Sequence, residues 1–198
     1  MTPSRRRPSP ARRRLLDAAA TRFYAHGIAA TGIDAIVADA SVAKMSLYNN
    51  FSSKADLVHA YLTERHAEWL ALYARRRADA DSPTARVLAV FDAYRDHAEL
   101  AYDHGFRGCG LLNAAAELPA DDPGREAVRR HKEEVEQIMH DELAHLVVDD
   151  EAARLAEHLS FLLEGAMARA GLEGGPDRLT HARTLAETLL SALPQDAP

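Results

Sequence analysis

The sequence predicts an all-α fold of about nine helices. Ala, Leu, Glu and Arg, which favour helices, dominate its 198 residues. Alternating apolar and polar runs of β-branched residues are absent, and so are the Asn-Gly and Asp-Gly pairs that mark hairpin turns. Apolar residues instead recur three and four positions apart, which is the spacing of one buried helix face.

Charge and composition narrow the possible partners. Residues 1–60 carry a net charge of +5, whereas residues 61–198 carry −11. This asymmetry indicates either that only the first part meets a polyanion such as nucleic acid or that it is a solvated basic tail. No apolar run approaches the roughly 18 residues of a membrane span, and no apolar segment follows the N-terminal arginines. We therefore expect no membrane partner. The chain has a single cysteine, Cys109, which excludes an intrachain disulfide and is consistent with a cytoplasmic protein.

The first part of the chain predicts an arm and three helices. Residues 1–10 contain three prolines beside Arg5, Arg6 and Arg7, which predicts a disordered basic arm. The arginines could reach a DNA groove or backbone, or remain disordered. The predicted helices lie at 11–26, 32–39 and 42–48, with Gly27 ending the first and Ala40-Ser41 forming a tight break before the third.

Two helices of about seven residues joined by a tight turn predict a helix-turn-helix between about Thr31 and Phe51. Thr31 is placed to cap the second helix, with Asp34 as an acidic capping-box partner. Leu47 faces inward, which leaves the polar residues of the third helix for solvent or DNA. Lysine can pair with phosphate or guanine, serine with phosphate or base edges, and methionine with a thymine methyl.

The run from Thr31 to Leu57 resembles the DNA-binding domain of the TetR family of bacterial regulators. The matching residues, in register with the family pattern, are Leu47, Tyr48, Phe51, Lys54 and Leu57. Ser41 and Met45 depart from it, because glycine is common at both positions. The resemblance covers about residues 11–57, and FRGCGLLNAAAEL over 106–118 resembles a segment found in one group of these regulators.

The resemblance implies roles for individual residues. Tyr48, Lys54 and the cap Thr31 would contact phosphate, and positions 44–46 would contact bases, while Leu47 and Phe51 would be structural. The predicted DNA-binding set is Thr31, Lys44, Met45, Ser46, Tyr48, Asn49 and Lys54. The resemblance also implies a helix-turn-helix domain at 11–53 and an effector-binding and dimerisation domain at 54–198.

The second domain is predicted to contain six helices, of which the first, at 54–80, is a rod of roughly 40 Å. The others are predicted at about 84–102, 111–118, 121–147, 150–170 and 177–193. The last two carry near-heptad stripes formed by Leu155, Leu159, Leu162, Ala166 and Ala170, and by Leu179, Ala182, Ala186, Leu189 and Leu193. Such stripes suit packing within one subunit or a homodimer formed through the last two helices, and the resemblance favours the homodimer.

The middle helices supply residues for a cavity that would bind a small organic effector. The predicted lining is Trp69, Tyr73, Phe91, Tyr94, Cys109, Asn113, Glu117 and Phe161, and the alternative for each aromatic is a plain core position. Asn113 and Glu117 form a polar pair on a short helix, and they could instead face solvent or cap a neighbour. No cofactor is expected. The histidine pairs 140/145 and 97/104 lack the spacing of four that places two metal ligands on one helix face, so we expect no metal.

These features predict a DNA-binding regulator, a repressor released from a palindromic operator when the effector changes the spacing of the two recognition helices. The long fourth helix would transmit the change. No nucleophile elbow, phosphate loop or dinucleotide fingerprint predicts an enzyme. Two alternatives remain: a redox-sensing regulator that uses Cys109, and a helical protein without a DNA-binding role.

Overall fold

The computed structural model describes residues 9–100 and 105–193. These residues form nine α-helices and no strand, which confirms the all-α prediction. The helices are α1 (Pro10–His26), α2 (Ile33–Asp39), α3 (Lys44–Asn50), α4 (Lys54–Ala78), α5 (Pro83–Glu99), α6 (Gly110–Glu117), α7 (Pro123–Leu143), α8 (Asp149–Glu173) and α9 (Asp177–Ser191). None of the helices in the described residues combines the length and hydropathy needed to cross a bilayer.

The first three helices form a unit around one small core. Helix α1 packs against α2 and α3, and Leu15 and Ala19 of α1 are fully buried there. Ile36 from α2 and Leu47 from α3 complete the core with no exposed surface. Full burial of side chains of this size contributes roughly 1.5–3 kcal/mol each, so short helices that are marginal alone become stable together.

Helix α1 begins one residue earlier than predicted. The Ser9 hydroxyl accepts a hydrogen bond from the Arg12 backbone N–H at 3.1 Å, and Pro10 occupies the first turn, where a missing N–H costs nothing. Ser9 and Pro10, predicted as part of the arm over 1–10, therefore belong to the helix and its cap. Arg5, Arg6 and Arg7 lie outside the described residues.

The turn between α2 and α3 holds Ser41 in the left-handed backbone region, with a φ of +51°. The Ser41 N–H donates to the Ala38 carbonyl at 3.0 Å, and the Val42 N–H donates to the Val37 carbonyl at 3.1 Å. A side chain in this region crowds its own backbone, which explains why a glycine suits the position. Helix α3 begins at Lys44, two residues after the predicted start, because Val42 and Ala43 complete this turn.

Helix α4 connects the three-helix unit to the rest of the chain. Its 25 residues span about 38 Å, and it ends at Ala78, two residues before the predicted end. The Ser53 hydroxyl caps its first turn by accepting from the Asp56 N–H at 3.1 Å. Helix α4 packs against α5 and α7 at one end and against α1 near its start. It therefore joins the three-helix unit to the larger helical domain.

The larger domain has its core between α5, α7, α8 and α9. The predicted stripes on α8 and α9 lie mainly inside this core, because Leu159, Ala170, Leu179, Ala182 and Ala186 are at most 1% exposed. Helix α8 also continues to Glu173 instead of ending at Ala170. Gly171 within this extension allows the segment at Gly108 to pack closely against α8, since a Cβ there would lie 2.6 Å from the Gly108 nitrogen.

Candidate DNA-binding surface and effector cavity

Helix α3 has one buried and one exposed face. Leu47 and the following Phe51 are buried, as predicted, and they attach the helix to α1. On the other side Met45 is 68% exposed and Tyr48 49% exposed, and Lys44 and Asn49 are also exposed. Five of the residues predicted to contact DNA therefore share one short helix, with Ser46 half-buried at its edge. Such a helix presents side chains of the size and polarity that enter a major groove.

Lys44 is held by an ion pair to the neighbouring helix. Its Nζ lies 2.6 Å from Oδ1 of Asp34 in α2, and both side chains are exposed. The hydrogen bond to Asp34 and the charge of Asp34 raise the pKa of Lys44. An exposed pair contributes little to stability, so its main effect is to fix where the ammonium stands beside the exposed face of α3.

Thr31 does not have the position predicted for it. The residue that caps α2 is Gly32, and no side chain makes a capping hydrogen bond there. Thr31 is only 2% exposed, and its hydroxyl donates to the Gly27 carbonyl at 2.7 Å. The hydroxyl thus stabilises the turn between α1 and α2, and its burial argues against the predicted phosphate contact.

Lys54 also contacts this turn. Its Nζ donates to the Ile28 carbonyl at 2.6 Å from the start of α4, and the side chain is half-buried. The bond holds the beginning of α4 against the first residues of the α1–α2 turn. Lys54 therefore has a structural bond in addition to the phosphate contact predicted for it.

A second set of bonds joins the turn to α6. The Glu117 carboxylate accepts from the Ile28 N–H at 2.9 Å and from the Ala29 N–H at 2.8 Å. Gly27 has a φ of +89°, and a Cβ added to it would lie 2.6 Å from Oε1 of Glu117. The backbone conformation thus requires glycine, and a Cβ would in addition displace the carboxylate from its present position. Glu117, predicted to line the effector cavity, instead binds the three-helix unit.

The segment before α6 makes further bonds to α1. The Tyr24 hydroxyl donates to the Gly108 carbonyl at 3.1 Å and accepts from the Arg107 N–H at 2.6 Å. The Arg107 guanidinium donates to the carbonyls of Tyr24, at 2.8 Å, and Ala25. These carbonyls end α1 and lack helical partners, so the cation fits them in charge as well as geometry.

An interior cavity lies where α4 to α8 meet. Its lining consists of Arg65, Trp69, Tyr94, His97, Cys109, Gly110, Leu111, His131 and Met167. The space between these side chains is about 20 Å³, enough for about one water molecule. An open groove of about 850 Å³ lies between α6 and α7, and Lys132 lines it. The Lys132 Nζ also lies 3.8 Å from the sulfur of Cys109, which lines the cavity. The Lys132 side chain therefore lies between the groove and the cavity.

Three predicted pocket residues, Trp69, Tyr94 and Cys109, do line the cavity. Tyr73 is adjacent, with its ring stacked parallel to Trp69 at a centroid distance of 5.7 Å. Phe91 is fully buried and belongs to the plain core of α5. Asn113 is exposed and donates to the Arg107 carbonyl at 3.0 Å, outside the cavity.

Phe161 was also placed wrongly by the sequence. It is 64% exposed on the outer side of α8, where it lines a shallow groove with Leu185 of α9. As an aromatic residue among the middle helices it was expected to face the cavity, but Leu159 and Leu163 take the inward positions on this part of α8. Phe161 therefore belongs to an exposed apolar face together with Leu172, Leu185 and Leu189.

Comparison with known proteins identifies the family. Residues 15–61 match the model of the bacterial regulatory proteins of the tetR family, and residues 83–186 match that of the tetracyclin repressor-like C-terminal domain. A TetR-family transcriptional regulator from Streptomyces coelicolor is 34% identical, with a TM-score of 0.83 over 94% of this chain and 97% of its own.

This chain belongs to the TetR family.

Two further crystal structures have the same fold. A TetR regulator from Chloroflexus aurantiacus is 28% identical with a TM-score of 0.79, over 92% of this chain and 95% of its own. Regulatory protein TetR from Rhodobacter sphaeroides is 28% identical with a TM-score of 0.76, over 91% and 98%. No curated protein shows significant sequence similarity to the chain. As a TetR-family member, the chain has the fold of a DNA-binding transcriptional regulator.

Ionisable groups line and flank the cavity of this TetR-family chain. Lys132 pairs with Oε1 of Glu164 at 2.6 Å and donates to the Tyr94 hydroxyl at 3.2 Å. Burial opposes its charge, but the neighbouring Cys109, Tyr94 and Glu164 outweigh burial and raise the pKa of Lys132. Burial, followed by the charge of Lys132, lowers the pKa of His131 to about 3.

His97 behaves in the same way. Burial and the charges of Arg65 and Lys132 lower its pKa to about 4, so the imidazole is neutral at physiological pH. The Nδ1 atoms of His131 and His66 lie 2.9 Å apart, which requires one ring to donate and the other to accept. The cavity thus contains two neutral imidazoles beside two cations.

Sequence reasoning missed six of the cavity residues, which are Arg65, His97, Gly110, Leu111, His131 and Met167. A signal exists for His131, since it lies on the buried stripe formed by Val128, Val135 and Met139 of α7. A polar residue on such a stripe is an informative exception to hydrophobic burial. Within residues 9–100 and 105–193, no three His, Cys, Asp or Glu side chains converge to form a metal site, and His104 lies outside this part of the chain.

Proposed function

We propose that this TetR-family regulator is a homodimeric repressor that leaves a palindromic operator when a small organic effector occupies the interior cavity. The observation that carries the proposal is the exposed face of α3, which holds Lys44, Met45, Tyr48 and Asn49 above a buried Leu47. We assign the chain no catalytic role, and we expect it to act in the cytoplasm, where its operator DNA would be.

The exposed residues of α3 divide into two kinds of contact. Tyr48 would bind a phosphate, and Lys44, which the resemblance places among the base contacts, would bind a guanine edge or a neighbouring phosphate, because a phenol and an ammonium suit such acceptors. Met45 would read a thymine methyl in the major groove, since an apolar side chain that is 68% exposed gains most from an apolar base edge. Ser46 and Asn49 stand beside it as hydrogen-bonding partners for base edges or the backbone.

The apolar face of α8 and α9 supports dimer formation. Phe161, Leu172, Leu185 and Leu189 are between 40% and 85% exposed in the single chain. A face of this kind is unfavourable in water and marks an interaction surface. A twofold interface would place the same helices of both protomers together, and it would hold two recognition helices at the spacing of successive major grooves.

Two routes would transmit effector binding to α3. Helix α4 runs from the cavity residues Arg65 and Trp69 to Lys54, which holds the α1–α2 turn. Helix α6 begins at Gly110, another cavity residue, and ends at Glu117, which binds the same turn. A ligand that enlarges the cavity of about 20 Å³ would move one or both helices, and the shared turn would follow.

A redox response is a second candidate, because the Lys132 Nζ lies 3.8 Å from the Cys109 sulfur. A cation beside a sulfur is one of the surroundings in which cysteines react with oxidants. Peroxide would transfer one oxygen to the sulfur, forming a sulfenic acid and leaving as water. An unchanged oxidant response in Cys109→Ser would remove this candidate.

The decisive experiment is selection of fragments of the source genome by the purified full-length protein. The proposal predicts a palindromic site, bound with strong salt dependence and released by at least one compound that binds the cavity. Replacement of Met45 by Ala should change the preferred bases, whereas Tyr48→Phe should weaken binding to all sequences alike. The absence of salt-dependent binding to any DNA would instead favour a helical protein without a DNA-binding role.

A further inference from the structure

The interior cavity contains two buried donors without acceptors among the described residues. Nε1 of Trp69 and Nε of Arg65 are both inaccessible to solvent, and neither makes a hydrogen bond. Both residues line the cavity, and Trp69 is only 3% exposed. Native proteins rarely leave a buried N–H unsatisfied, because it has lost its hydrogen bonds to water without replacement. Two such groups at one cavity indicate that an acceptor belongs between them.

We propose that this cavity binds the carboxylate of a small organic acid, which accepts hydrogen bonds from Trp69 Nε1 and Arg65 Nε. The proposal rests on the effector-responsive function above and names the chemical class of the effector. A carboxylate offers two oxygens with several lone pairs, so it can accept from both donors at once.

The charges around the cavity favour an anion over a neutral acceptor. Arg65 lines the cavity, and the Lys132 Nζ contacts two further lining residues, Cys109 and Tyr94. Their acidic partners, Glu68 and Glu164, pair with them from outside the lining. The cavity therefore faces the cationic side of the Arg65–Glu68 pair, and Lys132 is the charge that contacts its lining from behind Cys109 and Tyr94. Charge-assisted hydrogen bonds from such groups are roughly twice as strong as neutral ones.

The remaining walls suit an organic group. Trp69 lies against Tyr94 at a centroid distance of 5.4 Å, and Leu111 and Met167 complete an apolar lining. The present space of about 20 Å³ holds about one water molecule, so the organic group requires the walls to separate. The groove of about 850 Å³ on the other side of Lys132 provides room for such a group.

Trp69 is the only tryptophan in the chain, so its fluorescence reports on the cavity directly. Benzoate, phenylacetate and hexanoate, each compared with its primary amide, are suitable probes for the full-length protein. We expect a saturable change of Trp69 emission with at least one acid, and binding of its amide roughly tenfold weaker, as loss of a charge-assisted bond predicts. Equal affinities of acid and amide, or no emission change with any acid, would overturn the proposal.

Variants connect the effect to the two donors. Arg65→Gln should weaken acid binding roughly tenfold and leave amide binding nearly unchanged. Arg75→Gln, an exposed change of equal charge on the same helix, should alter neither. Trp69→Phe, followed by calorimetry, tests the second donor without relying on fluorescence. If both donor variants fold and bind the acid as tightly as the original chain, the two donors do not form the site.

A parallel operator-binding assay separates this proposal from the proposed function. If acids bind at Trp69 but never change operator affinity, the ligand class stands and the effector-released repressor does not. If neutral compounds release the operator while acids leave Trp69 unaffected, the repressor stands and the ligand class is wrong. If only water occupies the cavity, no acid changes the emission, which also rejects the ligand class.

Discussion

Glu117 at the end of α6 accepts a hydrogen bond from the backbone N–H of Ile28, 89 residues earlier in the chain, at 2.9 Å. The same carboxylate accepts from the Ala29 N–H at 2.8 Å, so one side chain satisfies two amides of the α1–α2 turn. The turn is therefore held by a helix that begins at the interior cavity as well as by its own neighbours.

Replacing Glu117 by Gln should loosen this turn. An amide side chain has one oxygen and cannot accept from both N–H groups with the strength of a carboxylate, so stability should fall by about 1 kcal/mol. Hydrogen exchange at residues 27–31 should become faster. Glu157→Gln, an exposed change on α8, is the matched control and should leave exchange there unchanged. Unaltered protection in the Glu117 variant would show that the bonds do not hold the turn.

Lys44 and Lys54 should differ in their effect on DNA binding. Among the residues that the structure describes, Lys44 pairs only with exposed Asp34, so Lys44→Met should reduce the salt dependence of operator affinity by about one phosphate contact. Asp34→Asn should strengthen binding, because it releases the ammonium. Lys54→Met should lower the thermal midpoint more than Lys44→Met does, since Lys54 donates to the Ile28 carbonyl at 2.6 Å. Anisotropy titrations over a salt series measure the effect on DNA binding, and thermal denaturation measures the midpoints. A salt dependence that is unchanged in Lys44→Met, or a thermal midpoint that falls more in Lys44→Met than in Lys54→Met, would contradict the assignment.

The face of α8 and α9 predicts the oligomeric state. Phe161→Glu combined with Leu189→Glu should convert a dimer to a monomer, because both charges would be desolvated in the interface. Val148→Glu provides a control at another exposed apolar position, where Val148 is 65% exposed at the start of α8. Analytical ultracentrifugation checks the prediction, and a double variant that still sediments as a dimer would place the interface elsewhere.

Ser41 predicts a stabilising substitution. Its φ of +51° lies where a Cβ is unfavourable, so Ser41→Gly should relieve the strain while Ser41→Ala keeps it. We expect the glycine variant to exceed the alanine variant by about 1 kcal/mol in unfolding free energy, measured by urea denaturation. Equal stability of the two variants would mean that the turn is not strained.

The buried His131 predicts a dependence of stability on pH. Burial, Lys132, His66 and His97 lower its pKa from 6.5 to about 3, so the unfolded chain binds a proton between these values and the folded chain does not. The stability that the folded chain gains from keeping His131 neutral is therefore fully present above pH 6.5, and it is lost as the pH falls toward 3. From pH 6.5 to 5 the loss should be about 1.5 kcal/mol.

His131→Gln should remove this part of the slope in urea denaturation at a fixed chain concentration. His158→Gln, at an exposed position on α8, is the matched control and should keep the original slope. Carboxylates titrate mostly below this range, so they do not account for the change. A His131 variant with the full slope would show that another group is responsible.

The helix-turn-helix was readable from the sequence because its signal is local. Leu47, Tyr48, Phe51 and Lys54 lie within eight residues, and their spacing alone determines which of them face the core of the unit. Thr31 was misplaced by the same local reasoning. A cap and a buried turn hydroxyl have the same sequence appearance, and only the position of the Gly27 carbonyl distinguishes them.

The cavity was only partly readable because five helices contribute to it. Periodicity shows that Trp69 and Tyr94 are buried, but it does not show which residues of other helices they meet. Glu117 and Asn113 were assigned to the cavity from their spacing on α6, whereas the direction of α6 places Glu117 against the α1–α2 turn. Phe161 was assigned to the cavity because aromatic residues are usually buried. It lies instead on the exposed apolar face of α8.

The bonds from Arg107 to the end of α1 and from Glu117 to the α1–α2 turn bear on how this regulator can be recombined with others. A chimera that exchanges only residues 11–53 for those of another regulator would separate the α1–α2 turn from the side chains that satisfy its amides and carbonyls. Grafting would therefore have to carry both partners along, together with the glycine at position 27 that admits the carboxylate. In this chain the unit of exchange for DNA specificity is discontinuous, and it includes part of the domain that is proposed to sense the effector.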